Sequence, residues 1–230
     1  MQGFQEYLNE DRNTHLEHLE DEIINNGTKG AKTSIEFLKS IKKMLQGGKG
    51  GSTVSVKWDG APAVFCGINP ENGKFFVGTK SIFNATPKIN YTNADIKRNH
   101  GGALADKLKI ALQYLPKLGI KGVIQGDLLF TSSDKKTAVV DGKKSITFTP
   151  NTITYAVPVV SSGFLGFGAN IYKEINNAKI GIVFHTSYSG KTMRDLSASF
   201  GASVKSLKKN KNVFFTDANY KQSEDPRFSS

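Results

Sequence analysis

The spacing of apolar residues changes close to residue 50, and this change constrains the fold more than any other feature of the chain. After it, short runs of β-branched and aromatic residues alternate with turn-forming residues. The sequence therefore predicts an α+β protein, with an N-terminal helical pair over 1–50 packed on a largely antiparallel sheet domain over 51–230. Before the change, apolar residues recur at helical spacing, at Leu16, Leu19, Ile23, Ile24, Ile35, Phe37, Leu38, Ile41, Met44 and Leu45.

Local signals mark the ends of the predicted helices. Thr14 and Thr33 each begin a capping box, because a glutamate stands three residues later. The first helix is expected to end at Asn25-Asn26-Gly27 and the second at Gly47-Gly48. Further helices are predicted over residues 103–115, 172–178 and 192–200.

The strand signals are runs of β-branched and aromatic residues separated by turns. Asn69–Gly73 and Asp141-Gly142 have the composition of hairpin turns. The sequence predicts strands over residues 53–57, 63–68, 74–78, 123–130, 145–148, 152–157 and 180–185, with an edge strand over 213–215.

The chain is strongly basic. Its 31 lysines and arginines exceed its 20 acids and give a formal net charge of +11. A basic surface binds polyanions by releasing their counterions, which favours a nucleic-acid partner. A dense lysine group near the end of the sequence is interpreted either as a phosphate-contacting stripe or as a solvated surface, and comprises Lys205, Lys208, Lys209 and Lys211.

Cysteine content and hydropathy point to one compartment. The single cysteine, Cys66, lies in an apolar run, where it is expected to fill the core and has no partner for an internal disulfide. Residues 1–6 lack the pattern of a secretion signal, and no apolar run is long enough to span a bilayer. We therefore expect a cytoplasmic monomer (host cytoplasm if the source is viral) without a membrane partner.

The run Lys57-Trp58-Asp59-Gly60 is the first candidate for chemistry. At the end of a strand it would place an amine at the mouth of a sheet, with the Asp59 carboxylate pointing the same way and Gly60 allowing an abrupt turn. An amine attacks phosphorus only when neutral, and a free lysine at neutral pH is neutral about one time in a thousand. Desolvation or nearby cations would have to lower its pKa. A surface lysine beside a turn is the alternative.

Two further segments carry polar groups at predicted strands. Lys80 and Ser81 follow the strand over 74–78, which returns to the end of the sheet where Lys57 is expected. A cation and a hydroxyl there would suit a triphosphate. Asp127 stands between apolar neighbours, and a buried acid needs a partner such as ribose hydroxyls, a metal ion or a core lysine.

Taken together, these segments resemble the motifs of the covalent nucleotidyltransferases: ATP-dependent DNA ligases, RNA ligases and mRNA capping enzymes. Lys57-x-Asp59-Gly60 resembles motif I, whose lysine forms a phosphoramidate with the nucleotide. Residues 76–82 are similar to the Lys-Gly-Ser strand of bacteriophage RNA ligases, without the glycine between lysine and serine. Residues 125–128 resemble motif III, with Asp127 in place of glutamate. Pro62 replaces the arginine usual in DNA ligases and capping enzymes, which favours the RNA ligases.

The whole chain also resembles an uncharacterised group of proteins from large marine tailed phages.

The resemblance implies a fold, a reaction and a set of site residues. It implies a ligase-type nucleotidyltransferase domain that uses ATP and Mg²⁺ (or Mn²⁺) and passes AMP to a 5′-phosphate end of a nucleic acid. Lys57 would be the nucleophile, Asp59 would orient it or contact the ribose, and Asp127 would hold ribose hydroxyls or the metal. The implied nucleotide-binding residues are Val56, Lys57, Trp58, Gly60, Lys80, Asp127 and Lys191.

The chain also departs from the family pattern. The best match to motif IV, Ile180–Val183, lacks the metal-binding glutamate, and Lys191 or Lys205 would have to serve as motif V. A catalytically inactive nucleotidyltransferase-fold module that binds nucleic acid is therefore the alternative function. His185–Thr192 resembles a P-loop, but histidine replaces its first glycine, so we do not predict one.

Overall fold

The computed structural model describes residues 19–46, 58–159 and 166–217. The chain divides into two compact units: residues 19–46 belong to the first, and the other described residues to the second. The predicted strand over 53–57, the capping box at Thr14 and the helix end at Gly47-Gly48 lie outside the described residues. None of the described helices combines the length and apolar character needed to cross a membrane.

Helix α1 (Leu19–Leu45) consists of two arms joined at a break. Gly27 has non-helical angles (φ 54°, ψ −131°), as expected for the predicted helix end. The Ser34 hydroxyl donates to the Leu19 carbonyl over 3.2 Å. Residues 15 positions apart lie about 22 Å apart in a straight helix, so the two arms fold back on each other. The predicted helical pair is confirmed.

The predicted capping box at Thr33 is wrong. Thr33 lies inside the second arm, and its hydroxyl donates to the Lys29 carbonyl over 3.2 Å. A threonine hydroxyl can bond to the carbonyl four residues earlier within a helix, so the pattern threonine-x-x-glutamate does not by itself mark a helix start. The second arm instead begins close to the break at Gly27.

The second unit contains a six-stranded sheet. Its strands are β1 (Ala63–Ile68), β2 (Phe75–Gly78), β3 (Val123–Thr131), β7 (Ile180–Ser189), β8 (Ser197–Phe200) and β9 (Val213–Asp217). Their order is β2-β1-β3-β7-β8, with β9 also paired to β7. All pairs are antiparallel except β7 with β9, so the predicted largely antiparallel α+β class is confirmed.

A separate three-stranded antiparallel sheet packs near β3 and β9. Its strands are β4 (Lys136–Val140), β5 (Lys143–Phe148) and β6 (Tyr155–Pro158). The predicted Asp141-Gly142 turn joins β4 to β5, and both residues have positive φ, 47° and 72°. The other α-helices of the described chain are α2 (Asn93–Asn99), α3 (Gly102–Tyr114) and α4 (Gly166–Asn177).

The predicted helix over 192–200 is wrong. The Thr192 hydroxyl and Asp195 form a hydrogen-bonded turn, which resembles a helix cap in sequence, but no helix follows. Ser197–Phe200 instead forms strand β8 against the end of β7. Pairing with a strand already in the sheet thus overrides the local helical signal.

The two faces of the central sheet differ in composition. One face, here called the apolar face, is covered by α3 and includes Val64, Cys66, Leu108, Leu128 and Ile182, all buried. The opposite face holds two separate apolar clusters. One contains Phe65, Phe76, Tyr188 and Leu196, and the other contains Leu129, Phe130, Phe148, Ile175 and Phe214.

Candidate functional site

A strip of polar side chains lies between the two clusters of the second face. Gln125 and Asp127 stand two residues apart on β3 and therefore point to the same face. Thr186 of β7 lies opposite Gln125 in the strand register. His185 is the extra residue of a bulge in β7, because the register passes from Thr186 directly to Phe184. We call Gln125, Asp127, His185 and Thr186 the polar strip.

Asp127 and His185 form a buried pair at the centre of the polar strip. They are 7% and 6% exposed, and His185 Nε2 lies 3.3 Å from Asp127 Oδ1. His185 Nδ1 lies 2.7 Å from the Thr186 hydroxyl. With Nε2 protonated, the ring donates to the carboxylate and accepts from Thr186, so a neutral imidazole satisfies both contacts. In the sequence, His185 stands out only because it replaces the first glycine of a P-loop pattern.

The segment that follows Lys57 leads into β1 and runs alongside β3 next to Asp127. The Ala61 amide donates to the Leu128 carbonyl, and the Leu128 amide donates to the Pro62 carbonyl, each over 3.0 Å. A Cβ at Gly60 would lie 2.6 Å from the Leu128 oxygen and 3.0 Å from the Asp127 Cβ. Glycine is therefore needed here for close approach to β3, rather than for the abrupt turn that the sequence suggested.

The small sheet holds the same segment from the other side. The Tyr155 hydroxyl accepts from the Asp59 amide over 2.7 Å and donates to the Asp59 carbonyl over 3.0 Å. Asn151 Nδ2 donates to the Asp59 carboxylate over 3.0 Å. The Trp58 ring stacks on Tyr155, with centroids 4.9 Å apart. Sequence reasoning missed Tyr155 and Asn151, because only the fold brings β6 and the connection before it to this segment.

Lys80 lies at the same end of the sheet as Asp127. It begins a short 3₁₀ turn after β2, and Thr79 caps that turn. The register pairs Gly78 with Phe65 and Ala63 with Asp127, so the end of β2 and the start of β1 lie at one edge of the sheet. The structure thus brings Lys80 to the expected end, with its side chain exposed to solvent.

Lys191 lies at the opposite end of the sheet. Asp127 is paired with Val183, and β7 continues from there to Ser189, about 20 Å at roughly 3.3 Å per residue. The neighbouring Met193 amide bonds to Glu71 in the turn between β1 and β2. The structure therefore does not bring Lys191 together with Asp127. His185–Ser189 is part of β7, which excludes a P-loop there.

The four lysines near the end of the sequence have different local settings. Lys205 lies in a 3₁₀ turn, and the Lys208 amide donates to the Leu118 carbonyl over 2.9 Å. The Lys208 side chain runs along Gly119. Lys209 and Lys211 instead line a cleft with Lys173 of α4.

Comparison with known proteins identifies a family and nothing more specific. Residues 13–229 match the model of a family of unknown function (DUF6267). The chain belongs to this family. No curated protein and no solved structure matches it.

Among the described residues, Asp127 is the main candidate ligand for a divalent cation. Within the described ranges, no three histidine, cysteine, aspartate or glutamate side chains lie together as a preformed metal site. Mg²⁺ is often held by one or two carboxylates together with substrate phosphates. Asp127 and Asp59 each offer one carboxylate, which is engaged by His185 and by Asn151 respectively, and a single carboxylate meets that minimum. Val56 and Lys57 lie outside the described residues. Trp58, the residue that follows Lys57, is the first described residue of the second unit.

Proposed function

We propose that this protein is an ATP-dependent, ligase-type nucleotidyltransferase that forms a lysyl-AMP intermediate on Lys57. It then passes AMP to the 5′-phosphate end of a nucleic acid, with RNA the favoured acceptor. One observation carries the proposal: Gly60 packs against Asp127 on β3. The two segments that resemble motifs I and III are far apart in the sequence and adjacent in the fold.

The proposed reaction has two steps. The neutral amine of Lys57 attacks the α-phosphorus of ATP, a P–N bond forms, the bond to the β-phosphate oxygen breaks, and pyrophosphate leaves. The amine releases a proton to solvent. In the second step an oxygen of the 5′-phosphate attacks the same phosphorus, and the P–N bond breaks with protonation of the lysine. AMP is thereby joined to the nucleic-acid end through a pyrophosphate linkage.

The described residues support this chemistry by positioning. Tyr155 fixes the backbone of Asp59 through two hydrogen bonds, which restrains the chain next to Lys57. Asp127 is buried on the polar strip and has its geometry fixed by His185, so its carboxylate is preorganised. Lys80 supplies positive charge at the same end of the sheet. Asp127, with the phosphates of ATP, would hold Mg²⁺, whose charge offsets the negative charge that develops on the phosphates.

The direct test is incubation with α-labelled ATP and Mg²⁺. We expect covalent label on the protein, acid-labile and alkali-stable as a P–N bond requires, and none on Lys57→Ala. Lys121→Ala, an exposed lysine next to the start of β3, is the matched control and should be labelled normally. Absence of label on the wild-type protein, or full label on Lys57→Ala, would contradict the proposal.

A specific observation favours the second candidate, a nucleic-acid-binding module without catalysis. The strand paired with β3 carries the apolar residue Ile180 at the position where the ligase pattern has a glutamate. Such a module would bind nucleic acid equally well with Lys57→Ala and would show no heat of ATP binding in calorimetry. Loss of ATP binding in Lys57→Ala, against measurable binding in the wild type, would favour the enzyme.

The proposed setting follows from the proposed substrates. ATP as donor, nucleic acid as acceptor and a lone, buried cysteine fit the cytoplasm, in a viral host if the source is viral. We propose that the protein acts there as a monomer.

A further inference from the structure

A cleft of about 460 Å³ lies at the outer edge of β9, away from the polar strip. One wall is α4, which contributes Lys173, Glu174 and Asn177, and the other is the turn before β9. A volume of this size falls in the range of small-ligand sites. The turn and strand contribute Lys209, Asn210, Lys211, Val213 and Phe215.

The chemistry of the lining is that of a nucleotide unit. Lys173, Lys209 and Lys211 are exposed and supply three positive charges, while Phe215 is half-buried and offers an aromatic surface. Lysines that track a backbone beside an aromatic ring on which a base stacks are the usual features of single-strand binding. The single acid of the lining, Glu174, can accept hydrogen bonds from the amino group of a base, which a phosphate does not offer.

Local structure fixes these groups in place. The Asn210 side chain accepts from the Asn212 amide over 2.9 Å, and its carbonyl accepts from the Val213 amide over 3.0 Å. The resulting tight turn holds Lys209 and Lys211 on either side of Asn210. On the facing wall, Lys173 and Asn177 stand one helical turn apart and so share a face of α4.

The strand register gives the position of the cleft relative to the polar strip. The register pairs Asp127 with Val183 and Val183 with Thr216, so β9 is two strands from β3. At about 4.8 Å per strand spacing, this is about 10 Å across the sheet. Phe215 packs with the cluster of the apolar face and Asp127 lies on the opposite face, so a strand bound on Phe215 would pass around the edge of the sheet at β9 to reach Asp127.

We propose that this cleft binds one nucleotide unit of a single-stranded nucleic acid, with the base on Phe215 and the flanking phosphates at Lys173, Lys209 and Lys211. The proposal deepens the function proposed above, on which it rests for the identity of the strand as the acceptor. Binding itself requires neither ATP nor Lys57.

The test measures fluorescence anisotropy with a 3′-labelled, 5′-phosphorylated 12-nucleotide RNA, without ATP, over a range of salt concentrations. Replacing Lys173, Lys209 and Lys211 with alanine should reduce the log–log salt slope by about two, at roughly 0.7 per phosphate for single strands. The control removes three exposed lysines elsewhere, Lys97, Lys143 and Lys144, at equal net charge. Its slope should match the wild type, and equal slopes for the two triple variants would overturn the proposal.

A second pair of variants tests the stacking surface. Phe215→Leu keeps the apolar contact with the core but removes the aromatic face, and it should weaken binding about five-fold or more. Phe215→Tyr retains the ring and should bind like the wild type, with thermal unfolding used to check that both variants fold. Equal affinities for Phe215→Leu and the wild type would contradict the base-stacking role.

Competitors distinguish the possible occupants. AMP and polyglutamate, at matched ionic strength, should displace the labelled RNA far less well than unlabelled RNA. Displacement by AMP at the same concentration would assign the cleft to a free nucleotide, and displacement by polyglutamate to an acidic peptide; either result overturns the proposal. ATP labelling of Lys57 is measured separately. If Lys57 is labelled but RNA binding does not depend on the cleft residues, only the proposal for the cleft is contradicted. If RNA binding depends on the cleft residues but Lys57 is not labelled, only the proposed enzymatic activity is contradicted.

Discussion

The two faces of the central sheet bury different kinds of side chain. On the apolar face, side chains of β1, β3 and β7 meet α3 in one continuous apolar cluster. On the other face two apolar clusters leave a gap between them, and Asp127, His185 and Thr186 are buried there. Burying polar groups contributes less stability than packing apolar ones, even when they are hydrogen-bonded. The polar strip therefore contributes less to stability than the apolar face, and it is the region to which we assign the proposed chemistry.

The largest expected effect is on the alkylation rate of Cys66, which should differ strongly between the native and the denatured protein. Its thiol is fully buried in the apolar face, and burial raises its pKa well above the ordinary value, which keeps it in the unreactive protonated form. We expect alkylation by iodoacetamide to be about a thousand-fold or more slower than in the denatured chain, at a rate set by unfolding. Mass spectrometry gives a clean result, since the chain has one cysteine. Rapid alkylation under native conditions would show that this face opens readily.

Truncation on the apolar face should affect stability rather than chemistry. Leu108 of α3 is fully buried, and Leu108→Ala should lower the free energy of unfolding by about 2–5 kcal/mol, measured by denaturant unfolding. Protein that remains folded should still take up label from ATP. Loss of labelling from folded Leu108→Ala would show that the two faces are not independent.

Substitution at Gly60 should affect both the stability of the protein and its labelling by ATP. A methyl group there meets the Leu128 carbonyl and the Asp127 side chain, so Gly60→Ala should cost about 1–3 kcal/mol and displace the segment that follows Lys57. Gly101→Ala is the matched control, because its backbone is extended and nothing lies within 4 Å of the added carbon. The control should change stability by less than about 0.5 kcal/mol. Equal stability and equal labelling of the two variants would contradict the proposed close approach.

The parts of this molecule that were predictable are those encoded by local patterns. Apolar spacing indicated the helical pair, α3 and most strands, and Gly60 and Asp127 were identified from short motifs. His185 was missed because it reaches Asp127 through a bulge in β7, and a bulge has no signature in a single sequence. Tyr155 was missed because β6 reaches Asp59 only through tertiary packing.

The same distinction explains the other errors. Thr33 and Thr192 both carry helix-start signals, and the surrounding structure decides whether each begins a helix. The lysine group was visible in the sequence, but the cleft that Lys209 and Lys211 line together with Lys173 was not, because only the fold brings α4 next to the turn before β9.

The smallest expected change in stability comes from Asp127→Asn, and it separates structure from chemistry on the polar strip. The asparagine oxygen can still accept from His185 Nε2, so the free energy of unfolding should change by less than about 1 kcal/mol. The negative charge is lost, however, and the Mg²⁺ concentration needed for half-maximal labelling should rise about ten-fold or more. Asp106→Asn, on the exposed surface of α3, is the control and should leave the free energy of unfolding and the Mg²⁺ dependence of labelling unchanged. If Asp127→Asn labels with unaltered Mg²⁺ dependence, Asp127 serves only to hold His185, and the metal must be sought elsewhere.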